Sequence, residues 1–326
     1  MLKSFKDRLK LREVQLDISI LAVLFLIFLI YIIGNPSVFT KYDIYYSFMS
    51  TIPFFGIMAL AMTYVVTLGL IDLSFPSVLA YSAWIFGMVF KITGNIYLAL
   101  LCCLLVGIVA GLLNCLLIVY FNIPSIVATI GTMFFWRGLV NVFAQGKNIS
   151  LVQAKDSILY KMAVGRIAGV VPAQAVWFLG LGVLFWLILR RHKFGSHILF
   201  VGDNEASSEM MGINVNLVKI IVFVNMGFFA AFAGIFSTLE VSYFWPSQGA
   251  GFLMPTLAAV FIGGTSVYGG EGTIFGTIIG VIIIGSLEAG IIAIGLTGFW
   301  IQLIYGMIII LSVTIYSILL KKRQNK

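Results

Sequence analysis

Long apolar runs alternate with short polar breaks along almost the whole chain, and the lengths of those runs are the first signal. A helix needs about 20 apolar residues to cross a bilayer. Seven stretches read clearly as spans: Ile18–Ile33, Thr51–Gly69, Ile96–Phe121, Ala175–Leu189, Val218–Leu239, Thr273–Ile294 and Trp300–Leu320. Three more, Phe75–Phe90, Ile126–Ala144 and Phe252–Gly263, are shorter or interrupted. The pattern predicts an all-α polytopic membrane protein with about ten transmembrane segments, some of them short or broken.

The densest interruption is GGTSVYGGEGTIFGTIIG, from Gly263 to Gly280. Inside a bilayer an irregular backbone persists only where protein or a water-filled cavity satisfies its N–H and C=O groups. The segment is therefore either a plain loop between spans or a place where helices stop, pack closely or line a route. Gly263, Gly264, Gly269, Gly270 and Gly272 are too many for one tight turn. They suit a chain that ends one short segment and turns close to its neighbours. Gly276 and Gly280 follow at helical spacing, as do Gly107 and Gly111, and such pairs let two membrane helices approach closely.

Composition agrees with the membrane reading: 61% of residues are hydrophobic and 10% charged, with a mean hydropathy of +1.10. The net charge of +8 comes mostly from the two ends. Lys3, Lys6, Arg8, Lys10 and Arg12 precede the first apolar run, and Lys321, Lys322, Arg323 and Lys326 follow the last. Basic flanks stay on the cytoplasmic side, so both termini are expected there. That requires an even number of spans and leaves Lys147–Arg166 outside and Arg190–Asn216 inside. The expected organisation is a cytoplasmic segment (residues 1–17), one transmembrane domain (18–320) and a short cytoplasmic tail (321–326). The first run has no small-residue cleavage site and reads as a retained helix. The charge is topological and does not point to nucleic acid. Cys102, Cys103 and Cys115 share one apolar run and read as packing residues.

Ionisable residues in membrane segments are costly and therefore informative. Asp72, in TLGLIDLS, either caps the helix beginning near Ser74–Phe75 or lines a passage. Arg137 falls about 18 Å into its span and either faces the bundle or snorkels to the headgroups. Glu240, beside Tyr243 and Trp245, reads as part of an interfacial belt. Glu288 reads as a passage residue. With the polar Asn114, the translocation-pathway candidates are Asp72, Asn114 and Glu288.

Arg190–Asn216 is the one long polar segment expected on the cytoplasmic side. Asn204 as a cap, Glu205 in the first turn, good helix formers to Met211 and a stop at Gly212 predict a short amphipathic helix. Such a helix suits docking to a soluble partner. His192 and His197 lie in the same segment and read as solvated surface. The chain contains no G-x-x-x-x-G-K-[ST] phosphate loop, no H-E-x-x-H and no nucleophile–base pair. An intramembrane enzyme is therefore poorly supported, and no cofactor or metal site of its own is expected.

Four blocks then carry a resemblance. They are GLIDLS (Gly69–Ser74), GLLNCLLIVYFNIPSIVATIGTMFFWRG (Gly111–Gly138), FGSHILFVGDNEASSEMMGINV (Phe194–Val215) and GFLMPTLAAVFIGGTSVYGGEGTIFGTIIG (Gly251–Gly280). In this order they resemble the permeases of ribose-type ABC importers, in the superfamily that also holds branched-chain amino-acid permeases. The resemblance covers about residues 50 to 310.

It implies a multi-pass subunit of the bacterial cytoplasmic membrane paired with a second copy or a paralogue. ATP and Mg would be bound by separate ATPase chains docked inside, and a periplasmic or lipid-anchored binding protein would deliver a small sugar. ATPase coupling would fall on Asn204, Glu205, Glu209, Gly212 and Ile213. The helical spacing of Gly276 and Gly280, read on its own, lets their helix pack tightly, with the contact between the two permease halves as one place for it. The chain departs from the family pattern at Leu70, at Phe75-Pro76, at Leu253 and Pro255 where acidic residues are common, and at Glu271 where a basic one is usual. These departures leave the permease reading intact and the cargo open. Amino acids or nucleosides are the neighbouring alternatives, and an ion-coupled secondary transporter is the more distant one.

Overall fold

The computed structural model describes residues 2–324 apart from Ile294 and Leu296, and side chains within residues 18–314. The basic side chains on which the expected orientation rests lie outside that range. The described chain forms fourteen helices joined by short connections. They are α1 (Leu2–Gly34), α2 (Pro36–Phe39), α3 (Tyr42–Thr67), α4 (Phe75–Thr93), α5 (Ile96–Cys115), α6 (Ser125–Ala144) and α7 (Ile158–Val164). There follow α8 (Ala173–Arg191), α9 (Lys193–Asp203), α10 (Glu205–Met210), α11 (Val215–Val241), α12 (Leu253–Ile262), α13 (Ile274–Ala293) and α14 (Trp300–Gln324). Only two-residue strands occur: β1 (Ile149–Ser150) pairs with β4 (Tyr243–Phe244), and β2 (Arg166–Ile167) with β3 (Val171–Pro172), both antiparallel.

Among the described residues, seven helices are long and apolar enough to span: α3, α4, α5 with its π-helical extension to Tyr120, α6, α8, α11 and α13. Shorter apolar stretches are Ile18–Gly34, Leu253–Ile262 and Trp300–Leu311. Two of the segments expected to be short are therefore full length. α4 runs past its apolar stretch to a left-handed cap at Gly94 (φ 66°), and α6 starts at Ser125 directly after Pro124. Only α12 stays short. Its 10 residues rise about 15 Å, half the hydrocarbon thickness.

Burial separates the centre from the periphery. In α3, 89% of the most apolar window is buried, against 28% in α6, so α3 is the axis of the bundle and α6 faces outward. A helix apolar on every side belongs inside, and the run Ile57–Met62 is fully enclosed. α5 and α11 meet backbone to backbone. A Cβ on Gly107 would strike the Gly227 carbonyl, and one on Gly111 would lie 2.5 Å from the Phe223 carbonyl. These glycines pack as their spacing predicts.

The connections sort to two faces. α8 separates residues 145–172 from residues 192–214, and α11 brings the chain back, so the 242–252 loop shares a face with 145–172. The β1–β4 pairing joins those two segments. Tyr42 at the start of α3 donates from its hydroxyl to the Val170 carbonyl on the same face (2.5 Å).

The polar segment after α8 is not a loop with one helix in it. His192 Nδ1 accepts from the Phe194 N–H (3.1 Å) and starts α9, an additional 11-residue helix. Gly195, Ile198 and Val201 form its buried face. That i, i+3, i+6 pattern was present in the sequence, masked by the flanking charge.

Candidate functional site

The first candidate region surrounds Asp72, between α3 and α4. Asp72 Oδ1 accepts from the Ser74 N–H (2.7 Å) and the Ser74 hydroxyl (2.6 Å), and Oδ2 accepts from Asn114 Nδ2 (3.2 Å). Asn114 also donates to Ser74 Oγ (2.9 Å) and accepts from the Thr132 hydroxyl (2.6 Å). Asp72 is 2% exposed and Asn114 1%. The carboxylate thus ties the residue before α4 to α5 and, through Asn114, to α6; it accepts from Ser74 at the N-cap position and from no first-turn N–H of α4.

The second region is the glycine break. The end of α3, the end of α9 and the break converge on one backbone junction. Gly270 N donates to the Thr67 carbonyl (2.9 Å). A Cβ on Gly202 would overlap that same carbonyl, one on Gly269 would overlap the Gly202 carbonyl, and one on Gly272 would overlap Thr67 Oγ1. Gly264, Gly269 and Gly270 have positive φ (87°, 84° and 74°), where a side chain is strained. Thr63 Oγ1 bonds Thr277 Oγ1 (2.8 Å), carrying the connection from α3 into α13.

Gly263 and Gly276 face each other, and a Cβ on Gly280 would overlap the Ala259 carbonyl. Gly276 and Gly280 therefore pack α13 against α12 of the same chain. The expected use of these two at a contact between permease halves is corrected: their surfaces are already occupied.

The third region is the face bearing 145–172. Arg137 donates to three backbone carbonyls, Pro246 (2.9 Å), Gln248 (3.1 Å) and Pro76 (3.3 Å). It holds the 242–252 loop down into the bundle and does not snorkel. Gln248, fully buried, donates to Ser237 Oγ and Thr238 Oγ1 and fixes the same loop to α11. Glu240 is not a belt residue. It takes a two-pronged ion pair from Arg166 (2.5 and 3.2 Å) and a hydrogen bond from Gln174 Nε2 (3.0 Å). Arg166 also donates to the Tyr46 hydroxyl. Burial pulls the Arg166 guanidinium down from its ordinary range, but Glu240 and Tyr46 outweigh it and hold the group higher. No local signal announces this pair, because 74 residues separate its members.

A cavity of 990 Å³ opens among α3, α12, α13, α14 and the 242–252 loop. Glu288 lines it, with Thr51, Gln302, Tyr305 and the Trp245 and Phe252 rings. Glu288 is exposed within the subunit. Asp72 and Asn114 do not line this cavity. The structure thus unites two of the three pathway candidates in a closed polar cluster and sets the third on an open wall.

The fourth region is α10. Asn204 Oδ1 accepts from the Ser207 N–H (2.8 Å), capping the helix, and Gly212 takes φ 78° just past its end. Glu205 pairs with Lys219 of α11 (2.8 Å), so its charge orients α10. Glu209 is exposed and Ile213 is half-buried against the core. Met210 and Met211 are 83% and 59% exposed. These flexible apolar side chains at a helix end suit a soluble partner, and the sequence reading had passed over them.

The model of the family described as branched-chain amino acid transport system / permease component matches residues 44–313. The chain belongs to this permease family. The ribose import permease RbsC of Escherichia coli is 31% identical over 299 residues, covering 91% of this permease and 92% of its relative. RbsC of Bacillus subtilis is 31% identical over 291 residues, covering 89% of each chain. The autoinducer 2 import permease LsrD of Salmonella typhi is 30% identical over 321 residues, covering 96% and 95%. No solved structure matches. The four-block resemblance thus extends over nearly the whole length, and the permease is a multi-pass membrane protein of the ribose-type ABC group.

Proposed function

We propose that this permease passes a small sugar or sugar-like solute, with the energy supplied by a separate ATPase gripping α10. The cargo reading rests on relatives that import ribose and autoinducer 2 and cover about nine-tenths of the chain or more. The observation that carries the coupling is the junction of Gly202, Thr67 and Gly270. It joins the α9–α10 unit directly to the axis helix and to the glycine break. Force on α10 reaches the α12–α13 hairpin through main-chain contacts, with no flexible linker between.

In this reading a second copy or a paralogue completes the passage, and an extracytoplasmic binding protein delivers solute at the face bearing 145–172. Both termini then lie in the cytoplasm with α10. The cavity beside Glu288 lies on the solute route, and the Asp72–Asn114 cluster holds the scaffold around it.

The test is co-purification of the ATPase with the permease carrying Glu209→Lys or Gly212→Pro. Bound ATPase should fall about tenfold while membrane insertion stays normal. Wild-type assembly and uptake in both variants would refute the docking role. Uptake that persists without any ATPase would favour an ion-coupled transporter. If the cognate binding protein retains an amino acid and no sugar, the cargo assignment fails and the permease assignment stands.

A further inference from the structure

The cavity holds one charge with no counter-charge. Among the described residues that line it, Glu288 is the only charged one, and no described lysine or arginine shares its wall. Arg166 is paired with Glu240, and Arg137 is held by three backbone carbonyls. Most of the remaining wall is apolar or aromatic, including Trp245, Phe252 and Phe299, with Gln302 as a neutral polar group. Low-dielectric walls weaken screening and let a fixed charge act across the whole space. Rings of carboxylates select cations and repel anions in pores by the same physics.

We infer that Glu288 makes the cavity an anion-excluding filter, which admits neutral polyols and rejects phosphorylated or carboxylate-bearing solutes of the same size. Aromatic faces receive the apolar side of a sugar ring, and the carboxylate accepts hydrogen bonds from its hydroxyls. An anionic analogue meets the same walls and an uncompensated repulsion. The inference rests on the cavity being part of the solute route, and it names the solute class that route accepts.

The experiment separates the filter from the route. In a permease with Cys102, Cys103 and Cys115 replaced by alanine, Met254→Cys places a thiol on the cavity wall. Its reaction rate is measured with a cationic trimethylammonium and an anionic sulfonate methanethiosulfonate of similar size. The cation-to-anion rate ratio should fall roughly tenfold on Glu288→Gln, as expected for one charge acting across several ångströms of partly wet cavity. It should invert on Glu288→Lys. A thiol at the exposed Met210 should show the same ratio in all three backgrounds. An unchanged ratio at the Met254 position, or a thiol there that neither reagent reaches, overturns the proposal. Uptake of labelled ribose with the ATPase and binding protein present is scored separately. Absent ribose uptake alongside a shifted ratio would rule out ribose as the cargo and leave the filter standing.

Discussion

Asp72 and Glu288 are both carboxylates in apolar stretches, and the structure gives them opposite surroundings. Asp72 accepts three hydrogen bonds and is sealed at 2% exposure. Glu288 stands on the wall of a 990 Å³ cavity. The region around Asp72 is closed by polar contacts, and the glycine break by glycine-to-backbone packing, whereas the region around Glu288 is open. An intramembrane charge is therefore informative only together with its partners. A saturated carboxylate builds the scaffold, and an unsaturated one meets whatever enters.

The sharpest way to break the contrast is to enlarge the closed region. Gly276→Val and Gly202→Val put branched side chains where a single Cβ already overlaps a backbone carbonyl. Recovery of assembled, detergent-stable permease should drop about tenfold, and alanine should give an intermediate loss. At Gly269 and Gly270 alanine alone should be harmful, because positive φ adds strain to the overlap. Tolerance of valine at every position would make the segment a plain loop and dissolve the distinction.

Next in size is Asp72→Ala. It leaves the Ser74 N–H, the Ser74 hydroxyl and one N–H of the Asn114 amide without their acceptor in a buried site, and each orphaned group costs about 1–3 kcal/mol. Thermal stability of the purified permease should fall by several degrees, with Asp72→Asn milder because one side-chain oxygen still accepts. Uptake should fall in step with folded protein. Loss of uptake at full stability would instead place Asp72 on the route.

Arg137→Met should act between the two regions. Removing the guanidinium frees the Pro246, Gln248 and Pro76 carbonyls, so the 242–252 loop that roofs the cavity should loosen. Proteolytic sensitivity of that loop should rise several-fold, and Arg137→Lys should restore part of the protection. Equal sensitivity in all three proteins would show that Gln248 and the β1–β4 pairing hold the loop without Arg137. The smallest effect on stability is expected for Glu288→Gln, within about 0.5 kcal/mol as for other exposed positions. A large destabilisation there would mean that Glu288 too is a scaffold residue.

How much of this was legible in the sequence follows from how far apart the partners lie. Spans, the Asn204 cap and the Gly212 stop are local patterns and were readable residue by residue. So were the close-packing glycines, although not their partners: nothing local shows that Gly276 meets Gly263 and not a second permease. The Arg166–Glu240 pair, the carbonyls around Arg137 and the Thr67–Gly202–Gly270 junction join segments that touch only after the bundle forms. Helix α9 was hidden for a different reason, since its three-residue apolar stripe sits among charges that suggest a loop. Leu253 and Pro255, read as departures from the family pattern, do line the cavity, and they leave Glu288 as the sole carboxylate among the described residues that line it.

The contrast is tested most directly by thiol accessibility at the two positions themselves. In the cysteine-free permease, Asp72→Cys and Glu288→Cys are each purified as folded, monodisperse protein and exposed to a small membrane-impermeant thiol reagent. The thiol replacing Glu288 should react at a rate near that of an exposed control, and the one replacing Asp72 at least a hundredfold more slowly. Comparable rates at the two positions, or faster labelling at position 72, would contradict the assignment of Asp72 to the scaffold and Glu288 to the route.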